Sequence, residues 1–249
     1  LSSAISWEAE QYIPLPLDQV NIDYSILRDA KETGTEKMDV LLVACPKVLL
    51  EKYLSIVEMA ELIPVAAETE IIAASRSLVA SVSGVKGAVL LASLGAQTTD
   101  LAILRNGVIA FTRSIAAGGE ALSRALVSGL DFTSSQAEEF KRTYGVEQNK
   151  LQGKIVTAVK PIMDTIVGEM KRAVAFYTQK YTGEKIEAVV LSGGTAKLPG
   201  MVVYMAENLG VEVQLANPWA GIVRDQRFRV LDNEGTTFAV ATGLAIREQ

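Results

Sequence analysis

Two adjacent glycines in this chain end an apolar, strand-like run and precede a helix expected shortly after Pro199, in the string Val189 to Gly200 (VVLSGGTAKLPG). Glycines at a strand end let the backbone approach a flat or charged ligand with no Cβ in the way. The pattern reads as a plain strand-to-helix turn or as a cradle made by Gly193, Gly194, Thr195 and Leu198. A second candidate lies in Leu90 to Gly107, a hairpin whose turn holds Gly95, Ala96, Gln97 and Thr98. Successive amides in such a turn form a nest for phosphate oxygens, and threonine hydroxyls add donors. Taken alone it is an ordinary hairpin. Third, Glu138 and Lys141 stand three residues apart in AEEFKRTYG and share a helix face. In isolation they read as a solvated ion pair. Fourth, Gly118 and Gly119 precede Glu120 at a helix start, a pattern that suits anion approach or tight strand-helix packing equally.

Other chemistry is narrowed by composition. The chain has no histidine, which removes Ser-His-Asp and Cys-His catalysis and the commonest zinc sites. No catalytic residue and no metal-ligand set is assigned. The single cysteine, Cys45, sits in an apolar run (VLLVACP) and reads as a small core residue in a reducing compartment. A net charge of −5 offers no basic footprint for nucleic acid or anionic lipid. No apolar run approaches the roughly 20 residues of a membrane-spanning helix, and no charged-then-apolar signal-peptide pattern is expected in the opening residues.

The elements that must position these groups follow from periodicity. Ser2 and Ser3 can cap a helix through Gln11, ended by Pro14 and Pro16. Val20 to Arg28 alternates apolar and polar, the mark of a half-buried strand. Residues 30–37 read as a turn, and Met38 to Ala44 as a more buried strand. A helix follows Pro46, with Leu49, Tyr53, Ile56, Val57 and Ala60 on one face. Ile63 to Ala67 is expected as a short strand and Glu70 to Ser81 as a helix. Three strands are expected at Ala88 to Leu94, Thr99 to Leu104 and Val108 to Ser114, with Asn106-Gly107 as a tight turn. Thr133 to Gln136 is a capping box whose helix ends at Gly145. A helix from Ile155 to Tyr181 should kink or break at Pro161. A strand at Ala188 to Leu191, a helix at Met201 to Leu209, a strand at Val211 to Leu215 and a small-residue helix from Gly235 to Ile246 complete the chain.

In this order the four motifs resemble the actin, sugar kinase and heat-shock chaperone superfamily. Within it the chain resembles the PilM family of type IV pilus assembly proteins. The resemblance is carried by WEAEQYIPLPLDQV (Trp7 to Val20), the phosphate-loop hairpin, FKRTYG (Phe140 to Gly145), LSGGTAKLPG, NPW (Asn217 to Trp219) and FAVATGLAIR (Phe238 to Arg247). It implies an α/β, actin-like (ribonuclease H-like) fold with mixed sheets flanked by helices. Residues 1–83 would form subdomain 1C with the return helix of 1A, and 84–249 domain 2, with a 2B insertion at about 131–181 and 200–215.

The resemblance also assigns roles. Gly193, Gly194, Thr195 and Leu198 would contact adenosine, Glu138 and Lys141 ribose and adenine, and Gly95, Ala96, Gln97, Thr98, Gly118 and Gly119 the phosphates of ATP with Mg²⁺. The chain opens at Leu1 without the segment that carries most of subdomain 1A and the first phosphate loop, so 1A is expected to be incomplete. Ser93 stands where the family's second phosphate loop carries Asp, and a hydroxyl lacks the charge a hard Mg²⁺ prefers. ATP binding in the full-length protein is therefore expected rather than efficient turnover. The implied partner is the N-terminal peptide of the inner-membrane protein PilN, docked near Ile13, Pro14, Leu15 and Tyr24. Other pilus-machine proteins and self-association are further implied contacts. The location would be cytoplasmic, at the inner membrane and reaching it only through partners. An FtsA-like filament protein and an ATPase or kinase of the same superfamily are the alternatives.

Overall fold

The computed structural model describes residues 2–34 and 36–247, which fall into two compact units, Leu1–Glu68 and Thr69–Gln249. The first unit holds α1 (Ser2–Ala9), β1 (Val20–Arg28), α2 (Ala30–Thr33), β2 (Asp39–Pro46) and α3 (Lys47–Met59). The side chains of Ser2 and Ser3 lie outside the described residues, so the expected cap is not placed. β1 and β2 form a two-stranded antiparallel sheet, with Tyr24 opposite Leu42 and Ile22 opposite Ala44. Directly opposed residues share a face, so Ile22, Tyr24, Ile26, Val40, Leu42 and Ala44 lie on one side of the ribbon.

Three expectations for this unit differ from the structure. Residues 30–33 are a short helix rather than a turn, closed at Gly34 in a left-handed conformation. Ile63 to Ala67 is extended but forms no strand, because no ladder partner meets it among the described residues and Ile63 and Val65 are exposed. Cys45 is half-buried, not core. The helical spacing after Pro46 is correct for α3, yet Leu49, Tyr53 and Ile56 are exposed.

The second unit is built on a five-stranded mixed sheet, order β5-β4-β3-β6-β7. Its strands are β3 (Ala88–Leu94), β4 (Thr99–Arg105), β5 (Val108–Ile115), β6 (Ile186–Ser192) and β7 (Glu212–Leu215). β3, β4 and β5 run antiparallel, while β6 and β7 join β3 in parallel. All seven residues of β3 are buried, as a central strand covered on both faces requires. The Asn106-Gly107 turn has positive φ at both residues (51° and 79°), the primed geometry that twists with the hairpin.

Helices α4 (Glu70–Val82), α5 (Gly119–Leu130), α6 (Ser134–Tyr144), α7 (Lys154–Lys180), α8 (Met201–Leu209) and α9 (Gly235–Ala245) flank the sheet. Leu90, Leu101, Ile103, Val189 and Leu191 share a core with Leu122 and Leu126 of α5 and Ile155, Met163 and Met170 of α7. α4, which the resemblance groups with the first domain, packs in this unit against α9. Their contact is close: a Cβ on Gly243 would stand 1.7 Å from Ala73 O. The segments assigned by resemblance to 2B also pack here, α7 within the core and β7 as an edge strand.

α6 begins with the complete capping box, Gln136 N to Thr133 Oγ1 at 3.2 Å and Thr133 N to Gln136 Oε1 at 3.0 Å. α7 runs unbroken through Pro161. The carbonyl that loses its donor there belongs to Thr157, an exposed residue, so the missing bond falls on the solvent side of the helix. Among the described residues no helix is long and apolar enough to cross a membrane.

Candidate nucleotide cleft

The β3–β4 turn and the β6–α8 connection end side by side, because β3 and β6 are parallel neighbours. Gly95 O accepts hydrogen bonds from Gly119 N at 2.9 Å and Thr195 Oγ1 at 3.0 Å. Ala96 O accepts from Glu120 N at 2.8 Å. Two carbonyls of the turn thus lock the start of α5 and the Gly193–Lys197 turn into one wall.

Above that wall lies a cleft of about 580 Å³, a volume suited to a small-molecule ligand. It is lined by eight of the residues singled out from sequence: Gly95, Ala96, Gly119, Glu138, Lys141, Gly194, Thr195 and Leu198. Glu120, Arg142, Lys197 and Thr237 complete the lining. Sequence reading gave none of these last four a ligand-binding role, although Glu120 stands in the fourth motif. Lys197 and Arg142 lie inside the quoted motifs, but Thr237 belongs to a helix read only as a packing element.

Four of the predicted residues stand outside the cleft lining. Gly193 has φ +86°, and a Cβ there would stand 2.4 Å from Leu94 O. Its glycine is demanded by the crossing of two backbones. Gly118 is similar, since a Cβ would meet Ala96 O at 2.6 Å. Gln97 is exposed, and Thr98 Oγ1 donates to Asp100 Oδ2 at 2.9 Å. Gly194 differs from Gly193. A Cβ on it would meet only Thr237 Cγ2, at 3.9 Å, so its bare face is turned to open space in the cleft.

Glu138 and Lys141 form a dense network. Lys141 Nζ donates to Glu138 Oε2 at 2.6 Å, Ser123 Oγ at 2.8 Å and Gly119 O at 3.1 Å. Its three N–H donors are thereby matched by three acceptors, which pins α6 to α5. Ser123 Oγ donates to Glu138 Oε2 at 2.8 Å, and Arg142 Nε to Glu138 Oε1 at 2.9 Å. Partial burial alone would raise the Glu138 carboxyl, but the bonds from Lys141, Ser123 and Arg142 outweigh it and hold it down at about 2. Glu138 is therefore an ionised acceptor on the cleft wall at neutral pH.

No group of three or more acidic or cysteine side chains converges among the described residues. Ser93, buried at the end of β3, offers a hydroxyl. Asp100 lies opposite Ser93 in the ladder, a carboxylate that sequence reading overlooked, and it accepts the Thr98 hydroxyl.

A second concavity, a groove of about 860 Å³, lies within the first unit. One side is Ile5, Glu8, Ala9, Tyr12 and Ile13, and the other is Lys37 to Val40, Leu42 and Ala44. Of the residues predicted for partner docking, Ile13 lines it. Tyr24 shares a ribbon face with Leu42 but is not in the lining, and Pro14 and Leu15 are exposed outside it.

The sheet order and the two glycine turns at the ends of β3 and β6 define an actin-like protein. The family of type IV pilus assembly protein PilM matches residues 1–249, and the chain belongs to that family. A solved PilM-PilN type IV pilus biogenesis complex is similar at 28% identity and TM-score 0.84, over 99% of this chain and 71% of that one. The cell division protein FtsA of Streptococcus pneumoniae is 28% identical over 159 residues, 54% of this chain and 33% of its own length. MreB5 of Spiroplasma citri bound to AMPPNP shares the fold at 17% identity and TM-score 0.55, over 81% of this chain and 64% of that one. The chain spans about a third of the length of the curated relatives it matches.

Proposed function

We propose that this chain is a docking component of the pilus assembly machine. It would bind the adenosine end of ATP in the cleft and capture the N-terminal peptide of PilN in the groove of its first unit. The observation that carries the nucleotide reading is convergence. Residues from four motifs, spread from Gly95 to Leu198 in the chain, line one cleft. Gly194 turns an open backbone face to the ligand, where a base can lie flat. Glu138 is ionised and accepts hydroxyl donors of a ribose. Lys141, with its donors already matched, orients Glu138.

The groove reading is supported by the similar PilM-PilN complex and by the apolar character of Ile5, Ala9, Ile13, Met38, Val40 and Leu42. An extended peptide with apolar side chains would bury against them. The protein would work in the cytoplasm at the inner membrane, reaching the membrane through PilN. Binding rather than turnover is proposed, because Ser93 brings no charge where the family's second phosphate loop carries Asp. Separate titrations of a fluorescent ATP analogue and of a labelled PilN N-terminal peptide test this. Saturable binding of each is expected. A chain that binds neither would overturn the proposal.

A further inference from the structure

The base-side wall of the cleft is tied to a segment that has almost no packing of its own. Residues 226–234 form a 3-10 turn with no buried side chain, and Val223, Phe228 and Val230 beside or within it are exposed. Its internal fastenings are local: Asp225 Oδ1 accepts from Arg227 N at 2.9 Å, and Arg224 pairs with Asp232 at 2.5 Å. Arg224 also lies 4.6 Å from the ring centre of Trp219. Toward the cleft, Glu234 Oε1 accepts from Lys197 Nζ at 2.7 Å. Lys197 and Thr237 both line the cleft, and Thr237 Oγ1 donates to the Glu234 carbonyl at 2.7 Å. The root of the segment is under-satisfied as well. Trp219 Nε1 and Thr236 Oγ1 are both buried without a protein partner. Buried polar groups are nearly always paired, directly or through water, so the protein's own packing is least complete at this junction.

We infer that residues 219–234 are a strap whose attachment, through Lys197 and Glu234, responds to occupancy of the cleft. The inference rests on the nucleotide reading above. The Lys197–Glu234 pair is half-open to water, with side-chain exposures of 35% and 44%. Such a pair is weak because water competes for both ions. A flat base seated on the Lys197 stem and the Thr237 methyl excludes that water. The local dielectric falls and the same pair strengthens. Nucleotide would therefore hold the strap down, and an empty cleft would leave it more loosely fastened.

The strap contains Arg224, Arg227 and Arg229, so limited trypsin digestion reads its attachment directly. Cleavage after Lys150, in another exposed turn, serves as the internal reference. Glu234→Gln should speed strap cleavage about two- to fivefold, the range a half-exposed ion pair can supply. Raising salt should do the same to the parent chain, since exposed pairs are screened, and this arm needs no variant to fold. ATP should slow strap cleavage in the parent and do so less in Glu234→Gln. Unchanged cleavage in both Glu234→Gln and high salt would overturn the strap. A response to both, with no effect of ATP on a parent chain that binds the fluorescent ATP analogue, would overturn the link between strap and cleft, whereas the same result with no analogue binding would overturn the nucleotide reading.

Discussion

Thr195 Oγ1 donates a 3.0 Å hydrogen bond to Gly95 O, joining two turns that lie 100 residues apart in the chain. The same carbonyl accepts from Gly119 N, so one oxygen holds three segments of the cleft wall together. Thr195→Val keeps the shape and removes the donor. Because Gly95 O retains one partner, the cost should be about 1 kcal/mol. For a unit of this size that is a melting-temperature drop of roughly 2–4 °C. Differential scanning calorimetry checks it, and nucleotide affinity should fall in the same variant because the walls are no longer fixed in register.

Gly193 and Gly194 are neighbours with opposite demands. A side chain at Gly193 must enter the backbone of Leu94 at a positive φ, so Gly193→Ala should destabilise the second unit by more than about 2 kcal/mol or prevent its folding. Gly194→Ala meets nothing closer than 3.9 Å and should leave thermal stability within experimental error. Its methyl group projects toward the ligand, so nucleotide affinity should drop at least tenfold. Melting curves paired with titrations separate the two outcomes.

Glu138 gives a pH signature. Its folded pKa of about 2 lies below the ordinary 4.5, so the folded chain holds that proton less readily than the unfolded one. Its contribution to stability is thus fully present above about pH 4.5 and is lost as pH falls toward 2. The side chain is 40% exposed, and solvent screening reduces the effect to about 1 kcal/mol. Glu138→Gln should therefore be less stable than the parent at pH 7, with the gap closing as pH falls toward 3. Urea denaturation across that range measures it.

The fold was largely legible because its strongest signals are local. The all-apolar β3, the Asn106-Gly107 turn and the Thr133/Gln136 box each carry their own physical cause within a few residues. The failures lie where a neighbour decides. Ile63 to Ala67 has strand composition but no ladder partner among the described residues. Pro161 was expected to kink or break its helix, and of the two a break is not seen, since α7 continues through it. At the cleft, the residue types were readable but not their division of labour. Nothing local distinguishes Gly193, which a crossing backbone requires, from Gly194, which a ligand could use. Thr237 was invisible for the same reason, since it reaches the cleft through tertiary packing.

The groove of the first unit offers the cleanest test of partner docking. Ala44 lines it from β2 and is itself exposed, so substitution there creates no cavity and buries no new polar group in the free chain. Ala44→Glu places a charged side chain on the floor where an apolar peptide residue would sit. Burying an unpaired carboxylate under a peptide costs several kcal/mol, of which relaxation toward solvent recovers a part. The labelled PilN peptide should therefore bind at least tenfold more weakly, while circular dichroism and melting stay as in the parent. Tyr24→Ala is the companion variant. Tyr24 is on the same ribbon face as Leu42 but outside the lining, so a peptide confined to the groove should lose less than threefold. If Tyr24→Ala abolishes binding and Ala44→Glu leaves it intact, the peptide lies elsewhere on the ribbon and the groove assignment is wrong.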